Sequence, residues 1–123
     1  MQASIIEFLS SSEAYGPDVE HVDIITTHIS YVFLAGRKAY KLKRDLKLPY
    51  LNFSTLERRR RACENEVKLN RRTAPMIYLG VLPVTLSPEE KLTIDGDGEI
   101  VDWLVEMNRF DDGLLLSEYA QNN

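Results

Sequence analysis

The first half of the chain alternates between short apolar runs and turns, a pattern that indicates β-strands. Residues 22–26 and 29–35 are rich in β-branched and aromatic side chains, which suit the pleated surface of a sheet. A third strand is predicted over residues 38–44 and forms a hairpin with the second by turning at Gly36. An apolar face over residues 3–12 predicts a short helix ahead of these strands.

A long, mostly polar helix follows the strands. Ser54 and Glu57 have the spacing of a capping box, in which each side chain satisfies the other residue's free amide. The helix should run from there to about Thr73, ahead of Pro75. Its apolar line is thin, so we expect one buried face and one cationic surface.

The rest of the chain returns to strands. Residues 77–86 form one, and residues 90–94 and 100–107 are predicted to pair as a hairpin through the Asp-Gly-Asp-Gly turn at 95–98. Residues 114–120 are predicted to open another helix. The order of elements predicts an α+β domain: an antiparallel sheet of about five strands, one main helix packed against it, and the short amino-terminal helix.

Composition predicts a single globular domain over residues 1–123, with 44% hydrophobic and 28% charged residues. No apolar run approaches the roughly 20 residues that span a bilayer, so no membrane partner is expected. The lone Cys63 excludes an internal disulfide and fits a reducing, cytoplasmic location. Cys63 and two histidines are too few for a zinc site.

Charge is unevenly distributed along the chain. Residues 37–72 hold 13 of the 15 Lys and Arg residues against four acids, whereas the remainder is strongly acidic. Such a basic block either binds phosphates or nucleic acid, or forms a solvated helix face with salt bridges to the acidic ends. Charge alone does not separate these two interpretations.

Lys41 is the first candidate for chemistry. In a strand over residues 38–44, Ala39, Lys41 and Lys43 share one face because side chains alternate. A small residue two positions before a lysine leaves room for a flat ring, such as adenine, beside a phosphate-binding ammonium. The alternative is that both lysines simply lie on the solvent-exposed face of an edge strand.

A glutamate on the next helix strengthens the case for Lys41. Kinases hold ATP phosphates with a strand lysine that is ion-paired to a helix glutamate. Glu66 adjoins Cys63 at the edge of the predicted buried stripe, so it is the preferred partner. Glu64 adjoins Arg60, which is typical of a surface salt bridge, but it stays open as an alternative.

The turn at residues 27–30 lies where a kinase folds a loop over the phosphates. It has no glycine, but its backbone amides and the hydroxyls of Thr27 and Ser30 are placed to cap a phosphate. The chain has no Gly-x-x-x-x-Gly-Lys-Ser/Thr motif, which excludes a P-loop fold.

Several segments together resemble a bacterial group of aminoglycoside phosphotransferase-like kinases. The resemblance covers roughly residues 5–116 and is carried by residues 27–36, 40–43, 51–57, 59–64, 69–72 and 74–81. It implies a protein-kinase-like fold in which this chain is the amino-terminal lobe of a longer protein.

The resemblance also implies site residues and a cofactor. Lys41 would contact the phosphates of ATP and Glu66 would hold Lys41. The backbone of the hinge at Glu106, Met107, Asn108 and Arg109 would seat the adenine. The catalytic aspartate and the Mg²⁺ ligands would lie in a carboxy-terminal lobe outside this chain. The chain is therefore expected to contain no catalytic or metal-binding residue and to be inactive alone.

The first functional hypothesis is thus the ATP-binding lobe of a small-molecule phosphotransferase, with the missing lobe as its partner. The acceptor stays open, because kinship of fold does not fix function. The second hypothesis, ranked lower, is a stand-alone module that binds nucleic acid or another polyanion through Arg58–Arg61, Lys68, Arg71 and Arg72. The third is an interaction domain that forms homo-oligomers through an exposed apolar seam.

Overall fold

The computed structural model describes residues 2–109 and has the expected α+β architecture. A 3₁₀ turn, Ser12–Ala14, follows the first helix. The helices and strands, in chain order, are α1 (Gln2–Leu9), β1 (Val22–Thr26), β2 (Ser30–Ala35), β3 (Lys38–Lys43), β4 (Lys47–Leu48), β5 (Leu51–Asn52), α2 (Leu56–Asn70), β6 (Tyr78–Leu86), β7 (Leu92–Ile94) and β8 (Glu99–Asn108). The helix predicted over residues 114–120 lies outside the described residues.

The main sheet is antiparallel and has six strands in the order β1-β2-β3-β8-β6-β7. A separate two-stranded hairpin, β4-β5, precedes α2 and was not predicted. Strand β3 lies between β2 and β8, and one row of partners runs Ile25, Val32, Lys41, Val105, Val81 across the sheet. Lys41 therefore lies in the middle of the sheet.

The predicted hairpin between residues 90–94 and 100–107 is wrong. Strand β7 pairs with β6, where Val84 is opposite Ile94, and β8 pairs with the other side of β6. The segment 95–98 crosses β6 at close range: a Cβ on Gly98 would lie 2.3 Å from the carbonyl oxygen of Leu86. These glycines thus permit a close backbone crossing instead of a turn between neighbouring strands.

The predicted capping box between Ser54 and Glu57 does not form, because the helix begins one residue later. Thr55 is the N-cap of α2, and its hydroxyl accepts a hydrogen bond from the Arg58 amide at 3.1 Å. Ser54 instead donates to Asn52 in the preceding segment. The helix ends at Asn70, before the predicted Thr73.

The sheet buries both of its faces, as the strand alternation requires. One face packs under α2 in a cluster of Val32, Ala39, Cys63, Val67, Tyr78, Val105 and Met107. The other face packs under α1 in a cluster of Ile5, Leu9, Phe33, Leu42, Val84 and Leu104. Within residues 2–109, no helix has the length and apolar character needed to cross a membrane.

Candidate functional site

Lys41 and Glu66 form a buried ion pair under α2. The Lys41 Nζ atom lies 2.8 Å from Glu66 Oε2. The exposed fraction is 1% for Lys41 and 8% for Glu66. Because β3 has a neighbour on each side, the interpretation of Lys41 and Lys43 as the wet side of an edge strand is wrong.

The position of Glu66 follows from the helix that carries it. Glu66 shares the buried face of α2 with Cys63 and Val67, and its backbone carbonyl accepts from Asn70 Nδ2 at 2.8 Å. Glu64 points away and pairs with Arg60 at 2.9 Å on the exposed side of the helix. Of the two candidate glutamates, Glu66 is the partner of Lys41.

Two further side chains reach the same carboxylate, and sequence reasoning missed both of them. The Lys43 ammonium contacts Glu66 Oε1 and lies 5.8 Å from the centre of the Phe53 ring. The Tyr78 hydroxyl donates to Glu66 Oε2 at 3.5 Å. Alternation along β3 was the available signal for Lys43, since it places Lys43 on the face of Lys41.

Burial and charge pull the pKa values of this cluster in opposite directions. Burial lowers the pKa of Lys41 to about 8, although Glu66 acts against it. Burial would raise the pKa of Glu66, but Lys43 and Lys41 outweigh it and lower that pKa to about 2. Burial raises the pKa of the neighbouring Cys63 thiol to about 12. At neutral pH the pair is therefore ionised and the thiol is neutral.

Three other predicted residues lie on the same face of the sheet as Lys41. Ala39 is directly opposite Met107 in the neighbouring strand, and both are fully buried. Ser30 is directly opposite Lys43 and is 1% exposed. The structure therefore brings Ser30, Ala39, Lys41, Glu66 and Met107 together, and adds Lys43 and Tyr78.

Glu106 and Asn108 lie apart from this cluster. The Glu106 side chain leaves the other face of the sheet and accepts from the Tyr40 hydroxyl at 3.3 Å. The Asn108 amide donates to the carbonyl of Ile77 at 2.7 Å. The backbone of these residues is thus part of the sheet in this structure, and a role in seating adenine stays a prediction.

The turn between β1 and β2 is closed by its own hydrogen bonds. The Ser30 amide donates to the Thr27 hydroxyl at 2.9 Å, and the Thr27 amide donates to the Ser30 carbonyl at 2.8 Å. Arg44 donates to the carbonyl of His28 at 3.0 Å. The Thr27 hydroxyl therefore stabilises the turn itself.

The arginine cluster is largely engaged within the chain. Arg59, which is 7% exposed, donates to the buried Asp102 at 2.9 Å and to the Phe53 carbonyl at 2.9 Å. Arg60 and Arg61 pair with Glu57 on the helix surface. Arg59 therefore lies on the buried side of α2, which it bridges to β8, so its predicted place among the polyanion-binding arginines is wrong.

A groove of about 700 Å³ lies away from the lysine cluster, between the α1 segment and β7. The groove is lined by Ser4, Glu7, Phe8, Ser11, Glu13, Ala14, Glu90, Lys91, Leu92 and Thr93.

Among residues 2–109, no group of three or more His, Cys, Asp or Glu side chains is arranged to hold a metal ion.

Comparisons with known proteins find relatives without assigned activities. A stretch of 64 residues is 41% identical to uncharacterized proteins of Mycobacterium bovis and of two strains of Mycobacterium tuberculosis. It covers 52% of this chain but only 13% of each mycobacterial protein. No family model matches the chain, and no solved structure matches it.

Proposed function

We propose that this chain is the ATP-binding lobe of a small-molecule phosphotransferase of the aminoglycoside phosphotransferase-like kind. The observation that carries the proposal is the 2.8 Å ion pair between Lys41 on the central strand β3 and Glu66 on the helix above it. Kinases use a strand lysine held by a helix glutamate to orient ATP phosphates.

The cost of burying this pair supports a functional role. Removing two charges from water is expensive, and an apolar pair of similar size would stabilise the core at least as well. The lowered pKa of Lys41 reflects that cost. Ionisable groups held in such surroundings are enriched at functional sites.

The neighbours of Lys41 suit the rest of a nucleotide. Ala39 and Met107 lie side by side on the face of Lys41 and would provide apolar contacts for a base. Because Ala39, Lys41 and Met107 are buried, a nucleotide reaches them only after the groups that cover this face move aside.

The remaining parts of the reaction belong to a second lobe. ATP would supply the transferred phosphoryl group, and Mg²⁺ would be held by residues outside the described part of this chain. The mycobacterial proteins are much longer than the stretch they share with this chain, which is compatible with a second lobe in a longer protein.

Titration calorimetry of MgATP with the full-length protein that contains these residues tests the proposal. Lys41→Met should weaken ATP binding at least about tenfold, because a hydrogen bond between charged groups contributes about 1.5–3 kcal/mol. Glu66 keeps Lys43 as a partner in this variant, so we expect it to fold. The matched control is Lys91→Met, at an exposed lysine between β6 and β7.

Wild-type protein that binds no ATP would overturn the proposal. Equal ATP affinity in the Lys41 and Lys91 variants would also overturn it.

A further inference from the structure

Lys43 and Ser30 form a pair that the Lys41–Glu66 contact does not explain. The two residues are directly opposite each other on β3 and β2, so their side chains leave the sheet on the same face. Lys43 is 5% exposed and Ser30 is 1% exposed. Both side chains therefore lie on the face of the sheet that carries Lys41, and Lys43 reaches Glu66 of α2.

The Ser30 hydroxyl is buried without a hydrogen-bond partner among residues 2–109. Buried hydroxyls are nearly always paired, because leaving one unpaired costs free energy. A hydroxyl that the protein leaves unpaired in its core is available to a ligand.

The Lys43 ammonium group has hydrogen-bond donors that a ligand could use. An ammonium group can donate three hydrogen bonds. Glu66 is the acceptor that the described residues provide for it, and the Phe53 ring lies 5.8 Å away. The ammonium groups of Lys43 and Lys41 converge on the two oxygens of one carboxylate, so they are close enough to bind neighbouring groups of one anion.

The position of the pair matches the phosphate end of a nucleotide. Ser30 is the first residue of β2, directly after the turn that its amide closes through Thr27. In the proposed function this turn lies over the phosphates. An anion held by Lys41 and extended toward the turn would meet Lys43 and Ser30.

We propose that Lys43 and the Ser30 hydroxyl form a second phosphate subsite beside Lys41, which takes a further phosphate group of a nucleoside diphosphate or triphosphate. This inference rests on the proposed function. A purely structural role of Lys43 as a second counter-ion of Glu66 would leave the Ser30 hydroxyl unexplained.

Titrations of the full-length protein with ATP, ADP and AMP in the presence of Mg²⁺ test the subsite. Lys43→Gln should weaken ATP and ADP binding at least about tenfold, as expected for a lost charge-assisted hydrogen bond, and should change AMP binding less than about twofold. Ser30→Ala should also weaken ATP binding without lowering the melting temperature, because its unpaired hydroxyl contributes no hydrogen bond within the protein. Lys91→Gln is the control and should bind all three nucleotides as the wild type does.

The outcomes separate the two proposals. Equal weakening of ATP, ADP and AMP by Lys43→Gln would assign Lys43 to holding Glu66 and overturn the subsite. Unchanged ATP affinity in both variants would also overturn it, whereas a wild-type protein that binds no nucleotide overturns the proposed function together with the subsite. If Lys43→Gln does not fold, Ser30→Ala decides the question alone.

Discussion

Glu66 is the residue on which the candidate site depends, because three side chains from β3 and β6 converge on its carboxylate. Lys41, Lys43 and Tyr78 all contact it from the sheet below. A carboxylate with this burial keeps its charge only when its neighbours offset the lost hydration. The lysines do so here, which is why the pKa of Glu66 falls although burial alone would raise it.

Lys41 should titrate far below an ordinary lysine. Its pKa of about 8, against 10.5 for an unburied lysine, means that the folded protein binds fewer protons than the unfolded chain between these pH values. Lys41 therefore makes the free energy of unfolding rise with pH across that window. NMR titration of the side-chain signals should give a midpoint near 8 for Lys41. A Lys41 midpoint near 10.5 would contradict its burial.

Replacing Glu66 should lower the free energy of unfolding substantially at neutral pH. Glu66→Gln leaves two buried ammonium groups with no carboxylate between them, and losing one partner of a buried pair costs about 3–5 kcal/mol. The folded pKa lies below the unfolded value, so this contribution is present above about pH 4.5 and is lost as the pH falls through 2.

Urea unfolding at several pH values measures this effect. The matched control is Glu64→Gln, whose exposed pair with Arg60 is screened by solvent and should contribute far less to the free energy of unfolding. Similar losses for the two variants at pH 7 would contradict the structural role assigned to Glu66.

The candidate site was only partly visible in the sequence. The spacing and the helical face of Glu66 were enough to suggest its contact with Lys41. Lys43 was missed as a partner because a lysine in a strand is ordinarily placed on the wet side. Only the strand order shows that β3 has a neighbour on each side, and only the packing of the two clusters shows that both of its faces are covered.

Among the helices and strands, local sequence signals predicted the positions of the elements better than the pairing of the strands. The bounds of β1 agree with the sequence pattern, whereas the partner of β7 does not. An Asp-Gly-Asp-Gly segment has the same local composition whether it makes a tight hairpin or crosses a strand. Whether the segment forms a tight hairpin or crosses a strand depends on pairing between residues that are distant in the sequence. The sequence of the segment itself does not specify that pairing.

Gly98→Ala should test the crossing of β6. A Cβ at this position would lie 2.3 Å from the carbonyl oxygen of Leu86, which is backbone and has little room to move. We expect a loss of about 1–3 kcal/mol in the free energy of unfolding, as for other overpacked positions. Chemical denaturation measures the loss, with exposed Asp97→Ala in the same segment as the control. Equal stability of the two variants would contradict the close crossing.

In the molecule as a whole, the sheet is packed between two helices, with α2 on one face and α1 on the other. The face under α2 carries the ionisable cluster of Lys41, Lys43 and Glu66, and the face under α1 carries the apolar cluster around Ile5 and Leu9. The α+β class followed from the order of predicted elements. The order of the six strands and the burial of the ionisable cluster could not be predicted in this way, because both depend on how strands β6 and β8 assemble against β3.

Trp103 should report on nucleotide binding. It is the sole tryptophan of the chain and lies two residues from Val105, the strand partner of Lys41. Since this face must open to admit a nucleotide, MgATP should change the Trp103 emission in a saturable way. The change should be much reduced in Lys41→Met and retained in Lys91→Met. Binding by calorimetry without any change in emission would contradict opening of this face.

The proposed function depends on a contact between nucleotide phosphates and Lys41, which Glu66 holds in place. A crystal structure of the full-length protein with a non-hydrolysable ATP analogue tests it most directly. The expected result is a phosphate oxygen within hydrogen-bond distance of Lys41 Nζ, with Glu66 still in contact with Lys41. An analogue bound elsewhere, for example in the groove between α1 and β7, would contradict this contact.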